Sequence, residues 1–585
     1  MRKINRNKAL IGCLLSGALL AWTACTDTWN DHYEGRSDGH NGLSLWENIN
    51  ADATLSPFAT VLKATGYDRQ LNSPQMLTVW APVITDHVAD SLIAVYKEEK
   101  ARGVKDDYNS VIVQFVKNHI ALYNTSVSSY TNDTIMMLNG KYLSLQPNAL
   151  ENEMFLNKNI QASNGVLYKV GNKLSFYPNV WEKIQQTPGL DSIAKFFGSF
   201  NENVLNESAS VPGGVVDGMT VYLDSVIVLN NRLFNSLGHI NREDSSYIFL
   251  GLTNSVWNDL YAQYTSYYKY ANVQTQAVRD SLTDSNAKLS IVRSLFFNKN
   301  LNPKSGRQDS LINTMYNKYN PTVNVFYRPF DADGILSGLE AQPCSNGDLY
   351  VADNSRINPK LTFMADRDYE AEYSRYYETE KDNAGKDKMQ VAAFMANDTA
   401  NVNGKHYDFN VSNDYFLQVM ANSSGSQSKI TYTLPETLSE VYYNIYVVMV
   451  PAIAYNEKAA PADTLPCKFK AKMLTCKENG SMEAESAVRD LTVPAGEVNA
   501  GKRDFITTPN QVDTICLATG VQFNYSGVGL DEGVVQLVLT SSATSTENRR
   551  TYTRTFRIDE IIMCPYETKE EADREKWNPR RTGKN

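Results

Sequence analysis

Cysteine is missing from residue 26 to residue 343, so the first half of the chain folds without disulfides. Positive charge is short as well: 56 Lys and Arg stand against 65 Asp and Glu, a net charge of −9. That leaves no basic footprint and excludes nucleic acid as a partner class. Histidine is scarce, with six residues, His32, His40, His87, His119, His239 and His406. None pairs in metal-ligand spacing, and HExxH, GxSxG and phosphate-loop motifs are all missing. Acidic residues are plentiful, but no motif sets two of them up as a glycosidase pair. The expectation is a protein that is not an enzyme, with no cofactor, no metal site and no catalytic residues. Hydrophobic runs are short too. After Trp22 none approaches the length that spans a bilayer. What remains, 42% hydrophobic and 21% charged residues over 585 positions, is the composition of an ordered chain of several domains.

The start of the chain carries a signal of another kind. Arg2, Lys3, Arg6 and Lys8 precede the apolar run "ALIGCLLSGALLAW", which meets the small residues of "TACTD". A charged region, a short apolar region and small residues before a cysteine form a secretory signal rather than a spanning helix. With Ala24 before Cys25 it resembles a bacterial lipoprotein signal, although Trp22 stands where such signals usually carry Leu. The resemblance implies removal of residues 1–24, a lipid such as palmitate on Cys25, and an outer-membrane position facing the cell exterior. Cleavage without lipidation is the plainer alternative. Residues 25–42 are polar and serve as a tether. Of the remaining cysteines, Cys344, Cys467, Cys476, Cys516 and Cys564, at least one must be free, the number being odd. Cys467 and Cys476 bracket a strand-like run and are either a disulfide or two buried thiols. Asp followed by Ser or Thr and an apolar residue recurs at Asp90, Asp133, Asp191, Asp224, Asp280, Asp309, Asp398, Asp463 and Asp513. This resembles the O-glycosylation acceptor of exported proteins in Bacteroidota; the alternative is a set of turn and cap pairs.

One phrase occurs twice. "QASNGVLYKVGNKLSFYP" ends at Pro178 and "QPCSNGDLYVADNSRINP" ends at Pro359. Asn-Gly favours a left-handed turn, and an alternating apolar run follows it, so each copy predicts a tight turn feeding a strand. The separation is too long for a solenoid repeat and fits two tandem domains. Residues 43–178 begin with helical spacing at Leu45, Ile49, Phe58, Val61 and Leu62, pass through the buried strand "LTVWAP", and turn β-rich after the Asn139-Gly140 hairpin. That order predicts an α+β domain.

The ordered segments "LTVWAP", "NHIAL", "LNGKYLSL" and "ASNGVLYKVGNKLSFYP" resemble a fasciclin-like domain. Thr78, Val79, Ala81 and Pro82 match the first signature of that family, with Trp80 and Val83 departing from it. Of its Tyr-His pair only His119 is kept, with Asn118 in the Tyr place, so receptor binding of the animal type is not carried over. Asn164, Gly165, Val166 and Val170 match the closing signature, with Tyr168 where the family often has His. The resemblance implies a wedge-shaped β-sandwich with packed helices. Residues 179–359 are a looser second copy, carrying Tyr247, Phe249, Thr253, Asn254 and Trp257 and closed by the second phrase. Residues 360–566 alternate in short strands and predict an all-β sandwich, whose "RIDEIIMCP" resembles the last strand of a jelly-roll carbohydrate-binding module. Residues 567–585 are expected to be a solvated charged tail.

Three local features complete the reading. His119, one turn beyond Phe115, is expected to be a hydrogen-bonded structural residue rather than a base. Asp331 to Gly334, "DADG", lacks the later oxygen ligands of a calcium loop and is a turn. Trp257, Tyr261, Tyr264 and Tyr268 fall on one helical stripe facing the core, whereas Tyr267 and Tyr270 lie off it and are candidates for the surface, the sequence leaving open which tyrosines are exposed. Exposed tyrosines among the 34 offer platforms for sugar rings or protein partners. The expected function is non-enzymatic adhesion or binding at the cell surface. The alternative is an accessory glycan- or peptide-binding lipoprotein beside a SusC/SusD-type transporter.

Overall fold

The computed structural model describes residues 42–205, 207, 210–216, 219–224, 227–299, 310–318, 323–494 and 503–576. The leader, Cys25, the tether up to Asn41, His32, His40, Ser225, Asp309 and the end of the charged tail lie outside the described residues. No helix among the described residues is long and apolar enough to cross a membrane. The chain divides into two compact units, one ending at Pro178 and one starting at Asn179.

In the first unit, Ser44 and Glu47 close a capping box on the helix Leu45–Ala51. The helix Ser56–Thr65 starts with Pro57 and ends at Gly66, whose φ of 79° is the usual left-handed stop. The opening strand Leu77–Pro82 is buried along its whole length and pairs in parallel with the closing strand Gly165–Val170. Parallel neighbours need a long crossover, and here everything from Val83 to Asn164 supplies it. Alternation splits the core. Leu77, Val79, Ala81 and Leu167 face the helices, whereas Trp80, Val166, Tyr168 and Val170 pack on Leu143, Leu145 and Leu150. By its pairing the expected sandwich is one seven-stranded sheet. Register shifts in the strand Glu153–Ala162, at Phe155/Asn157 and Asn157/Ile160, let it bend over the second cluster.

The second unit opens in the same way. Asn179 and Glu182 form a capping box on the helix Val180–Gln186. Its opening strand Tyr247–Leu252 pairs in parallel with Gly347–Ala352, and the registers of the two copies agree: Leu77 faces Gly165, and Tyr247 faces Gly347. Each opening strand has one antiparallel neighbour, Ile120–Leu122 or Phe296–Asn298, and each closing strand another, Glu153–Ala162 or Gln342–Cys344. The helices Asn254–Thr265 and Gln276–Val292 stand between the opening strand and its antiparallel neighbour, where the first copy has Asp86–Ala101. The expansion expected after Trp257 lies instead between the helix Asp191–Gly198 and the strand Tyr247–Leu252.

Residues from Arg367 onward form two large antiparallel sheets, of six and five strands, and a two-stranded hairpin, Thr399–Val402 with Lys405–Asp408. The first contains the long strand Phe556–Tyr566, buried at every position, with Tyr442–Met449 and Tyr415–Ala421 on either side of it. The second runs Tyr377–Glu378, Lys429–Thr433, Val535–Ser541, Lys468–Thr475, Phe505–Ile506. Two expectations are corrected here. The boundary expected between residues 359 and 360 is fastened: the Lys360 ammonium meets Asp366 at 2.6 Å and the Pro565 carbonyl at 2.7 Å, and lies 4.3 Å from the Tyr566 ring centroid. One continuous apolar cluster runs from Val180 through Tyr264 and Leu336 to Met563, joining the second copy to the sandwich. The tail is not wholly solvated either. Lys569–Glu575 is a helix with Ala572 buried, and Asn444 Nδ2 donates to the Ala572 carbonyl at 2.7 Å.

Candidate functional site

The repeated phrase is a latch. In the first copy the Leu45 N–H donates to Asn164 Oδ1 at 2.8 Å, and Asn164 Nδ2 donates to the carbonyls of Leu71 (2.9 Å) and Ser73 (2.6 Å). In the second, the Val180 N–H donates to Asn346 Oδ1 at 2.8 Å, and Asn346 Nδ2 donates to Ile240 (2.8 Å) and Arg242 (2.7 Å). Each asparagine ties its opening helix to the loop before its opening strand. The glycine reading is corrected. Ser-Asn, not Asn-Gly, forms the two-residue hairpin loop, since Ala162 pairs with Gly165 and Cys344 with Gly347. The glycines have φ of +151° and +147°, and a Cβ there would lie 1.9 Å from the Leu77 carbonyl oxygen or 1.8 Å from that of Tyr247. Close backbone approach, rather than a left-handed turn, demands them.

Trp80 and Tyr168, both departures from the fasciclin signatures, face each other in register and stack with centroids 5.6 Å apart. His119 is fully buried; its Nδ1 donates to the Phe115 carbonyl at 2.7 Å, and its Nε2 accepts from the Leu174 N–H at 2.9 Å. Burial holds its pKa down at about 4, so the ring is neutral and both nitrogens are engaged. Asp331–Gly334 is a turn, with the Gly334 N–H donating to the Asp331 carbonyl at 2.8 Å. All five cysteines after residue 343 are free thiols. A disulfide between Cys467 and Cys476 is excluded by the straight strand Lys468–Thr475 between them, which sets them roughly 30 Å apart. Burial pushes the Cys467 thiol up to about 12, an inert state.

Trp257, Tyr264 and Tyr268 are buried as the stripe predicts and Tyr261 is half-buried, but Tyr267 and Tyr270 are buried too. Tyr267 donates to Glu567 at 2.9 Å and Tyr270 to the Val528 carbonyl at 2.9 Å. Both are covered by sandwich residues far away in sequence, which helical periodicity does not register. The exposed tyrosines are others, chiefly in the first unit: Tyr108, Tyr123, Tyr130, Tyr142 and Tyr177. Met136 and Tyr142, both exposed, lie directly opposite each other on neighbouring strands, and Met154 and Leu156 are exposed on the strand Glu153–Ala162.

A carboxylate cluster that the sequence reading missed sits in the sandwich, where Arg367–Glu370 and Tyr415–Ala421 pair end to end along Phe556–Tyr566. Glu370 stands opposite Glu560 in register, like charge against like. Asp559 accepts from the Ser412 N–H at 3.0 Å, and Glu370 Oε1 accepts from Ser412 Oγ (2.7 Å) and Asn413 Nδ2 (2.8 Å). Glu370 Oε2 and Glu372 Oε2 are buried without a hydrogen-bond partner. Burial, with repulsion from Glu372, raises the Glu370 pKa to about 7, and Asp559 is pushed far above the carboxylate range by burial and Glu560. Protons relieve such a cluster; an all-oxygen donor set also has the chemistry of a hard divalent cation. No group of three acidic, histidine or cysteine side chains among the described residues is arranged to hold a metal ion.

Two open clefts lie in the second unit. One, of about 760 Å³, is lined by Met395, Asp398, Thr399, Asp414, Tyr455 and Glu457. The other, of about 880 Å³, lies between the linker that follows the helix Asn254–Thr265 and the sandwich loops, and includes Lys269, Arg279, Glu440, Glu478 and Tyr525.

No protein-family model matches the chain, and no curated protein matches it. Among solved structures, a FAS1 domain pair from the insect cell adhesion molecule fasciclin I aligns with 54% of this chain and 97% of its own, at 11% identity and a TM-score of 0.16. A C-terminal family 22 carbohydrate binding module from Clostridium thermocellum aligns with 33% of this chain and 96% of its own, at 14% identity and a TM-score of 0.16. A low-affinity xylan binding module from Roseburia intestinalis aligns with 30% of this chain and 96% of its own, at 9% identity and a TM-score of 0.12. Scores of this size do not place the chain in any of these folds.

Proposed function

We propose that the protein is a non-enzymatic surface lipoprotein, anchored in the outer membrane through lipid on Cys25, that adheres or binds through its fasciclin-like copies. The observation that carries the reading is the exposed apolar set of the first unit, with Met136 and Tyr142 paired across neighbouring strands and Tyr123 and Tyr130 on the loop before them. Aromatic and methionine side chains of this kind are enriched at protein interfaces. Beads coated with the full chain should adhere to at least one surface of collagen, laminin or mucin. The double variant Met136→Asp, Tyr142→Asp should lower that adhesion at least about fivefold. Adhesion unchanged by the variant would contradict the reading. Cys25→Ala should release the protein from the membrane fraction, and unchanged fractionation would contradict the anchor. Of the Asp-Ser/Thr tripeptides, those at Ser91, Thr134, Ser281 and Thr399 present exposed hydroxyls for O-glycosylation, which intact mass of the native protein tests.

A second reading, an accessory glycan- or peptide-binding lipoprotein beside a SusC/SusD-type transporter, is favoured by the two open clefts of the second unit. A glycan array probed with the full chain separates it from the first.

A further inference from the structure

We infer that the cleft between the second copy and the sandwich is a preformed binding site for a short neutral oligosaccharide. The inference rests on the glycan-binding reading of the second unit and assigns it a location. The walls of the cleft come from both halves and are tied together by the main chain. The Ser439 N–H donates to the Tyr267 carbonyl (2.9 Å), the Ser526 N–H to the Lys269 carbonyl (2.6 Å), and the Asn272 N–H to the Glu478 carbonyl (2.6 Å). The Lys269 N–H donates in turn to Ser439 Oγ (2.9 Å). A cleft held this way needs no ordering when a ligand enters.

Its lining selects the ligand class. At about 880 Å³ it is of a size that holds several sugar rings. Tyr525 presents an aromatic ring, over which the Lys269 ammonium lies 5.7 Å from the centroid. Such a ring takes the C–H face of a pyranose, and the polar groups around it take the hydroxyls. Two charged groups of the cleft, Arg279 and Asp280, already hold neutral hydrogen-bond partners within it. Arg279 donates to the Gln274 carbonyl and to Gln276 Oε1, and Gln276 Nε2 donates to Asp280 Oδ1 at 2.6 Å. Lys269 and the carboxylates of Glu440 and Glu478 add one cation and two anions to the lining. Donors and acceptors so mixed in sign suit groups that both give and accept hydrogen bonds, as sugar hydroxyls do, and disfavour a polyanion or polycation. Apart from the tyrosines, the residues that line it carry polar side chains able to meet sugar hydroxyls.

The test is calorimetric titration of the full chain with neutral gluco-, xylo-, manno- and galacto-oligosaccharides about four to six sugars long, beside oligogalacturonate and a lysine-rich peptide. At least one neutral oligosaccharide should bind. Tyr525→Ala and Lys269→Met should each weaken it at least about tenfold, with Tyr525→Phe intermediate and melting moved by less than about 2 °C. Neutral binding untouched by all three variants would overturn the cleft and leave the glycan-binding reading standing. Binding of oligogalacturonate or peptide alone would overturn the neutral ligand. No oligosaccharide binding at all would overturn the cleft and the glycan-binding reading together.

Discussion

At the scale of single residues, the two glycines and one histidine carry the sharpest consequences. A methyl group at Gly165 would sit 1.9 Å from the Leu77 carbonyl oxygen, backbone against backbone, with no side chain to swing aside. Gly165→Ala should therefore cost about 3 kcal/mol or more, since overpacking and a disfavoured φ act together. Chemical denaturation should show the loss in the transition of the first unit and leave that of the second unmoved. His119 makes that unit sensitive to acid. Its folded pKa, about 4, lies below the ordinary 6.5 of an exposed imidazole, so only the unfolded chain takes up a proton between those values. The stability is fully present above about pH 6.5 and is lost as pH falls toward 4, up to about 3 kcal/mol in all. In melts across that range, His119→Gln should flatten the slope. An unchanged slope would mean that the ring is not buried neutral.

At the scale of elements, legibility follows range. The repeat was readable from six letters because a latch is local: Asn164 and Asn346 bond helix and loop through the same atoms in both copies. Three members of the helical stripe, Trp257, Tyr264 and Tyr268, are buried as period alone predicts, and Tyr261 is half-buried. The burial of Tyr267 and Tyr270 does not show in that period because their partners, Glu567 and the Val528 carbonyl, come from elements far along the chain. The carboxylates of "YEAEY" and "RIDEII" give no sign of a cluster in the sequence for the same reason. Only the pairing of Arg367–Glu370 with Phe556–Tyr566 brings Glu370 opposite Glu560. The cleft around Tyr525 was equally invisible, being assembled from the linker after Thr265 and loops of the sandwich. The cluster carries its own pH dependence. Glu370 is raised to about 7 in the folded protein from 4.5, so its contribution is fully present below about pH 4.5 and is lost as pH rises through 7. Glu370→Gln keeps the acceptor for Ser412 and Asn413 and removes the charge. It should raise the melting temperature of the second unit at about pH 8 and change it little at about pH 5. A variant less stable at both pH values would show that the carboxylate is wanted in its charged form.

At the scale of the whole molecule, the chain is a pair of copies with unequal fates. The first is compact by itself, whereas the second shares one core with the sandwich, through Tyr264, Tyr267 and Tyr270 on one side and Leu438, Tyr443 and Val534 on the other. Limited proteolysis should therefore release residues 179–576 as one piece and spare the fastened stretch around Lys360. The most direct measurement is hydrogen exchange, read peptide by peptide, on Gly347→Ala. Its methyl group would meet the Tyr247 carbonyl oxygen at 1.8 Å and loosen the second copy at its central strand pair. If copy and sandwich are one cooperative body, exchange should speed up as much in the strand Phe556–Tyr566 as in Tyr247–Leu252, with Leu77–Pro82 unaffected. Faster exchange in Tyr247–Leu252 alone, with Phe556–Tyr566 as protected as before, would make the sandwich an independent domain and contradict the account.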